Sequence, residues 1–126
     1  MIDHVSVAVR DLERAARFYR AVLGAIGYAQ LEARPLTVGF GKTYPELWIN
    51  LRSAMAPAAP DSGAHVALRV RTTDSVNAFH AAALAAGGTS DGAPGPRPQH
   101  GEGYYAAFVR DPDGNRIEAV TFLKEG

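Results

Sequence analysis

Four histidines and no cysteine confine any ion-binding chemistry of this 126-residue chain to imidazole and oxygen donors. Zinc-thiolate sites and a cysteine nucleophile are excluded outright. His4 and His65 hold equivalent positions of an internal repeat. Sliding the chain so that His4-Val5 falls on His65-Val66 also brings Val9-Arg10 onto Val70-Arg71, Phe18 onto Phe79, Leu23 onto Leu84 and Gly27 onto Gly88. A third donor, Glu118, lies near the carboxyl end. Two imidazoles and a carboxylate can hold a divalent transition ion and leave coordination positions open for a substrate. A single histidine on a strand is more often a partly buried structural residue. The shared register of this pair favours the ligand reading, and a carboxylate buried among apolar walls is costly without a cation beside it.

The elements that would carry these donors follow from hydrophobic period. Val5, Val7 and Val9 alternate with His4, Ser6 and Ala8, and Val66, Leu68 and Val70 alternate with His65, Ala67 and Arg69, so each histidine faces away from the apolar side of a strand. Asp11 is placed to cap a helix starting at Leu12, with Ala15, Phe18, Tyr19, Val22 and Leu23 as its buried stripe and Gly24 and Gly27 at its end. In the second copy Thr73 is the expected cap, Val76, Phe79, Ala83 and Leu84 the stripe, and Gly87-Gly88 the stop.

Three strands are predicted next in the first copy, around Tyr28 to Glu32, Leu36 to Gly41 and Glu46 to Arg52, giving βαβββ. Their apolar faces carry Leu36, Val38, Phe40, Leu47, Ile49 and Leu51. The reverse faces carry Thr37, Gly39, Gly41, Trp48, Asn50 and Arg52, which suits a cavity wall. The organisation expected is one domain over 1–126, with a first module of about 1–53, a linker of about 54–62 and a second module of about 63–126. Thr89 to Gly103, rich in Gly and Pro and containing His100 and Glu102, is expected as a long binding loop. Asp111-Pro112-Asp113-Gly114-Asn115 is a hairpin signal between Tyr104 to Arg110 and Arg116 to Phe122. If Arg110 pairs with Arg116, Phe108 opposes Glu118 on the histidine side. Arg14, Arg17 and Arg20 are expected on a solvated helix face.

Charge sets the limits on partners. Thirteen Lys+Arg balance thirteen Asp+Glu, which leaves no long-range field to gather nucleic acid or acidic lipid. No apolar run reaches the ~20 residues of a membrane span, and Met1-Ile2-Asp3-His4 opens without the basic start of a signal peptide, so a cytoplasmic protein is expected.

His4-Val5, Arg10-Asp11 through Phe18-Tyr19 and Leu23-Gly24, His65-Val66, and Phe108-Val109-Arg110-Asp111-Pro112-Asp113-Gly114 leading to Ile117-Glu118 resemble the vicinal oxygen chelate superfamily over essentially the whole chain. That superfamily includes glyoxalase I, extradiol dioxygenases, fosfomycin-resistance and bleomycin-resistance proteins. The resemblance implies an α+β, glyoxalase-like fold in which two tandem βαβββ modules form an open mixed-sheet barrel. It implies His4, His65 and Glu118 as ligands of a divalent metal ion (Zn, Mn, Ni or Fe). Aligning Ile49-Asn50 with Ile117-Glu118 puts Asn50 where glyoxalase I has a fourth ligand, a glutamate, and this departure argues against glyoxalase I activity.

The expected function is a metal-dependent lyase, isomerase, dioxygenase or transferase-like enzyme acting on a small substrate with adjacent oxygens. The competing reading is a non-catalytic binding protein of the bleomycin-resistance type, whose members generally lack the ligand triad. Trp48, Asn50, Arg69, His100, Tyr104, Tyr105 and Phe108 are candidate substrate contacts, each with a plain packing or salt-bridging alternative. The resemblance also implies a homodimer, with the modules that build one site drawn from one chain or from two.

Overall fold

The computed structural model describes residues 1–123, so the expected end of the second module lies outside the described residues. The first half runs β1 (Val5–Val9), α1 (Leu12–Gly24), β2 (Ala29–Arg34), β3 (Thr37–Gly41) and β4 (Pro45–Leu51). The second repeats it as β5 (His65–Arg69), α2 (Thr73–Ala85), β6 (Thr89–Pro96), β7 (Tyr104–Arg110) and β8 (Arg116–Phe122), with a 3-10 turn at Pro98–His100. Each half forms one mixed sheet, β1-β4-β3-β2 and β5-β8-β7-β6, in which the first and last strands run parallel and the others antiparallel. Among the described residues the sheets stay open and no closed barrel forms.

The helices begin where side chains can satisfy their free amides. Asp11 accepts from the Arg14 amide at 3.0 Å. In the second copy the cap is Thr72, not Thr73, and its hydroxyl accepts from the Ser75 amide at 3.1 Å. Ala15, Phe18, Tyr19, Val22 and Leu23 of α1 are buried as expected. In α2 the stripe is Val76, Phe79 and Ala83; Leu84, one step further round the helix, is exposed. Gly27 and Gly87 follow the two helices with φ of +88° and +98°, the left-handed conformation that turns the chain back toward the sheet.

Thr89 to Gly103 departs from the expected loop, because most of it is β6 and the 3-10 turn. Pro94 and Pro96 are tolerated because β6 is an edge strand. Register shifts against β7 at Gly92 and Gly95 erase the alternation by which a strand is recognised.

One continuous core holds residues of both halves. The Asp111–Asn115 turn, read from sequence as a hairpin, also clamps the halves together. Tyr19 donates to Asp111 Oδ2 at 2.7 Å, and Asn115 Nδ2 donates to the Ala8 carbonyl at 2.8 Å. Asp113 Oδ1 accepts from Arg10 Nε at 2.9 Å and Arg14 Nη2 at 3.0 Å. Arg14 is therefore drawn inward rather than solvated, whereas Arg17 pairs with Glu13 at 3.5 Å and Arg20 donates to Gln30 at 2.9 Å on the outer face.

Strand register corrects one alignment. Ser6 pairs with Trp48 across β1 and β4, and Ala67 pairs with Glu118 across β5 and β8. Since His4 matches His65, Ser6 matches Ala67, and Trp48 rather than Asn50 occupies the position of Glu118. Asn50 pairs with Ala8, two residues on. A two-residue slip keeps the same face of the strand, so parity in the sequence cannot detect it.

Candidate metal centre

β7 and β8 pair as expected, Phe108 opposite Glu118 and Arg110 opposite Arg116, so Phe108 and Glu118 share the concave face. β5 lies on the other side of β8 and sends His65 to the same face. Glu118 is 1 % exposed. Its Oε1 lies 3.0 Å from His65 Nε2, and its Oε2 accepts from the Tyr104 hydroxyl. Burial, followed by the hydrogen bond to Glu118 and the charge of that carboxylate, pushes the Tyr104 hydroxyl up to about 12. It therefore keeps its proton at neutral pH and remains a donor.

Aromatic rings wall this carboxylate. The Phe108 ring lies 6.5 Å from both the His65 and the His100 rings, and His100 lies 5.3 Å from Tyr104. Tyr105 leaves the group: as the neighbour of Tyr104 it points to the opposite face, where its hydroxyl donates to Asn77 of α2 at 2.8 Å. Arg97 was not anticipated. It stands 5.5 Å from the Phe108 ring centre and donates to the Gly95 carbonyl at 3.0 Å. Its signal was hidden inside the Gly/Pro-rich segment. Arg69, at the far end of β5, lies 4.7 Å from the Phe122 ring.

The first half contributes a separate wall. Trp48 packs over Gly39, where a Cβ would come within 2.8 Å of the indole, and Arg34 lies 5.2 Å from its ring. Asn50 Oδ1 accepts from Thr37 Oγ1 at 2.6 Å. His4 and His65 line one cleft of about 360 Å³, together with Tyr28, Tyr44 and Glu46. Yet His4 is half-exposed and engages Asp3 Oδ1 at 2.7 Å. Among the described residues no three His, Asp or Glu side chains converge on one point.

Donors bound at ~2.0–2.2 Å to one ion stand about 3 Å apart, and the 3.0 Å separation of His65 and Glu118 fits that spacing. The second half thus brings together His65 and Glu118, two of the three donors expected from the sequence, and a hydrogen bond from Tyr104 orients the carboxylate.

No helix among the described residues is long and apolar enough to cross a membrane. No curated protein matches the chain. Among solved structures, a glyoxalase/bleomycin resistance protein from Albidiferax ferrireducens T118 is 34 % identical, with a TM-score of 0.80 over 94 % of this chain and 95 % of that one. A glyoxalase/bleomycin resistance protein/dioxygenase family enzyme from Burkholderia phytofirmans PsJN is 21 % identical, with a TM-score of 0.74 over 97 % and 98 %. A glyoxalase I mutant from Zea mays is 25 % identical, with a TM-score of 0.73 over 93 % of this chain and 44 % of that longer one. The pattern of the Glyoxalase/Bleomycin resistance protein/Dioxygenase superfamily matches residues 1–119, and the chain belongs to that superfamily.

Proposed function

We propose that the chain is a metal-dependent enzyme acting on a small substrate that chelates a divalent ion through adjacent oxygens, as a lyase, isomerase, dioxygenase or transferase. The observation that carries this reading is the fully buried Glu118 carboxylate, paired with the His65 imidazole and opening onto an aromatic-walled concave face. Such a carboxylate is costly to bury unless it is paired and hydrogen-bonded or coordinates a metal ion, and an ion held between it and His65 lowers that cost further. His65 and Glu118 hold the ion, and His4 completes the set. Because no three His, Asp or Glu side chains converge among the described residues of one chain, we propose that a second copy in a homodimer brings His4 into place.

When bound, the ion supplies a Lewis acid that polarises chelated substrate oxygens. The chain's own residues do the rest. Tyr104, kept protonated, fixes the Glu118 oxygens by donation. Half-buried Phe108 and exposed His100 set aromatic rings beside the carboxylate as contact surfaces for a substrate.

A second reading, a metal-free small-molecule binding protein, draws on the placement of His4 outside the His65–Glu118 pair. Metal analysis of the purified protein, with melting temperatures in Zn²⁺, Mn²⁺, Ni²⁺ and Fe²⁺, separates the two. A rise with at least one ion that Glu118→Gln abolishes supports the enzyme. Indifference to all four leaves only the binding protein.

A further inference from the structure

The chain has a formal net charge of zero, yet one cavity of about 470 Å³ collects three cations and, among the described residues, no acid. Arg69 and Arg71 enter it from the carboxyl end of β5, and Lys42 reaches it from the β3–β4 connection. The hydroxyls of Ser75 and Thr121 and the ring of Phe122 complete its polar and aromatic lining. Asp74, the nearest acid along the chain, is exposed and does not line it.

The other arginines of the described chain are already employed. Arg10 and Arg14 bind Asp113, Arg17 pairs with Glu13, Arg20 with Gln30, and Arg34 with Glu32; Arg110 and Arg116 share Asp91, while Arg52 and Arg97 donate to carbonyls. Among the described residues Arg69 has only the Phe122 ring beneath it, at 4.7 Å, and Lys42 only the Tyr28 ring, at 5.4 Å. Neither contact uses the directional N–H donors of the cation. Stacking on a ring holds a guanidinium plane in position and leaves its edge free to bind a carboxylate or phosphate in bidentate fashion.

We infer that Lys42, Arg69 and Arg71 form a binding site for a small organic or inorganic oxyanion of two or more charges, a phosphate or a polycarboxylate. The volume suits a ligand of that size. Arg69 is four residues along β5 from His65, so at ~3.3 Å per residue the two sites lie about 13 Å apart. Phe122, beneath Arg69, meets the Tyr104 ring at 5.3 Å, so the two sites are linked by side-chain contact, while the three cations bind the anion without a metal ion.

Calorimetric titration with inorganic phosphate and with citrate, at fixed ionic strength and in the presence of a metal chelator, tests this. Saturable binding of either anion is expected, with affinity at least tenfold weaker in Arg71→Gln and weaker still in the Arg69→Gln/Arg71→Gln double variant. Arg17→Gln, on the outer face of α1, should bind as the wild type does. Preference for phosphate over citrate assigns the ligand to phosphate esters, and the reverse to polycarboxylates. Absence of saturable binding by both anions, or equal affinity in the double variant and the wild type, overturns the inference.

Discussion

His65 Nε2 lies 3.0 Å from Glu118 Oε1, although the two residues are 53 positions apart in the chain. The contact exists because β5 and β8 are neighbours in the sheet and run parallel. It places an imidazole against a carboxylate that has almost no access to water. Glu118→Gln keeps the volume of the side chain, exchanges one acceptor oxygen for a donor and removes its charge. Loss of an outer partner costs a metal site 10–100-fold, so loss of the ligand charge is expected to weaken ion binding by roughly a hundredfold or more. Competition against a chromophoric chelator measures it, and an unchanged affinity would remove Glu118 from the metal site.

Tyr104 gives a milder version of the same experiment. Tyr104→Phe deletes the hydroxyl that donates to Glu118 and leaves a buried oxygen unsatisfied, at a cost of about 1–3 kcal/mol in stability. Ion affinity should fall by about 10–100-fold. The pH dependence has a definite sign. The folded-state value is raised from 10.0 to about 12, so the stabilising contribution is complete below pH 10 and is lost as pH rises through about 12. The difference in phenolate absorbance between wild type and Tyr104→Phe should therefore develop near pH 12 and not near pH 10.

The register of the first sheet makes a prediction of its own. Trp48 stands where Glu118 stands in the second half, so Trp48→Glu is expected to add a carboxylate to the ion site of a dimer in which His4 takes part. Affinity for the ion should rise roughly tenfold, since ligand charge tunes such sites. Asn50→Glu, two residues further along the strand, should leave it within about twofold. Equal effects of the two substitutions would contradict the register argument.

Much of this arrangement was legible because period-two alternation and the internal repeat both survive in the sequence. The pairing of Phe108 with Glu118, the Asp11 cap and the burial of Phe18, Tyr19 and Phe79 follow directly from spacing. What the sequence hid has physical causes. β6 carries two prolines and two register shifts, which suit an edge strand but leave no alternation to read. The Trp48 position was displaced by two because a slip of two residues preserves the face. The role of Arg14 depended on Asp113, a partner 99 residues away that no local pattern reveals.

Gly39 supports Trp48 by lacking a side chain. A Cβ there would lie 2.8 Å from the indole and 2.9 Å from Pro45 Cβ, so Gly39→Ala must displace the ring. Overpacking of this kind costs about 1–3 kcal/mol. Trp48 is the single tryptophan of the chain, so its emission reports the displacement without interference. A shift in emission maximum together with a lower denaturation midpoint is expected; an unchanged spectrum would show that the ring does not rest on this glycine.

Asp113 is the residue on which the union of the two halves depends most. It is 0 % exposed, and a single oxygen accepts from the Arg10 amide at 3.1 Å, Arg10 Nε at 2.9 Å and Arg14 Nη2 at 3.0 Å. Asp113→Ala leaves two guanidinium groups at the junction without their counter-charge, and since both are about a third exposed the loss is that of charge-assisted hydrogen bonds, about 1.5–3 kcal/mol. For a domain of this size that lowers the melting temperature by roughly 5–10 °C. Arg17→Ala, which removes only an exposed pair with Glu13, should cost less than about 1 kcal/mol. Chemical denaturation of both variants compares the two. The loss in Asp113→Ala should appear in one cooperative transition, because the core that it clamps is shared between the halves and neither can unfold while the other stays intact.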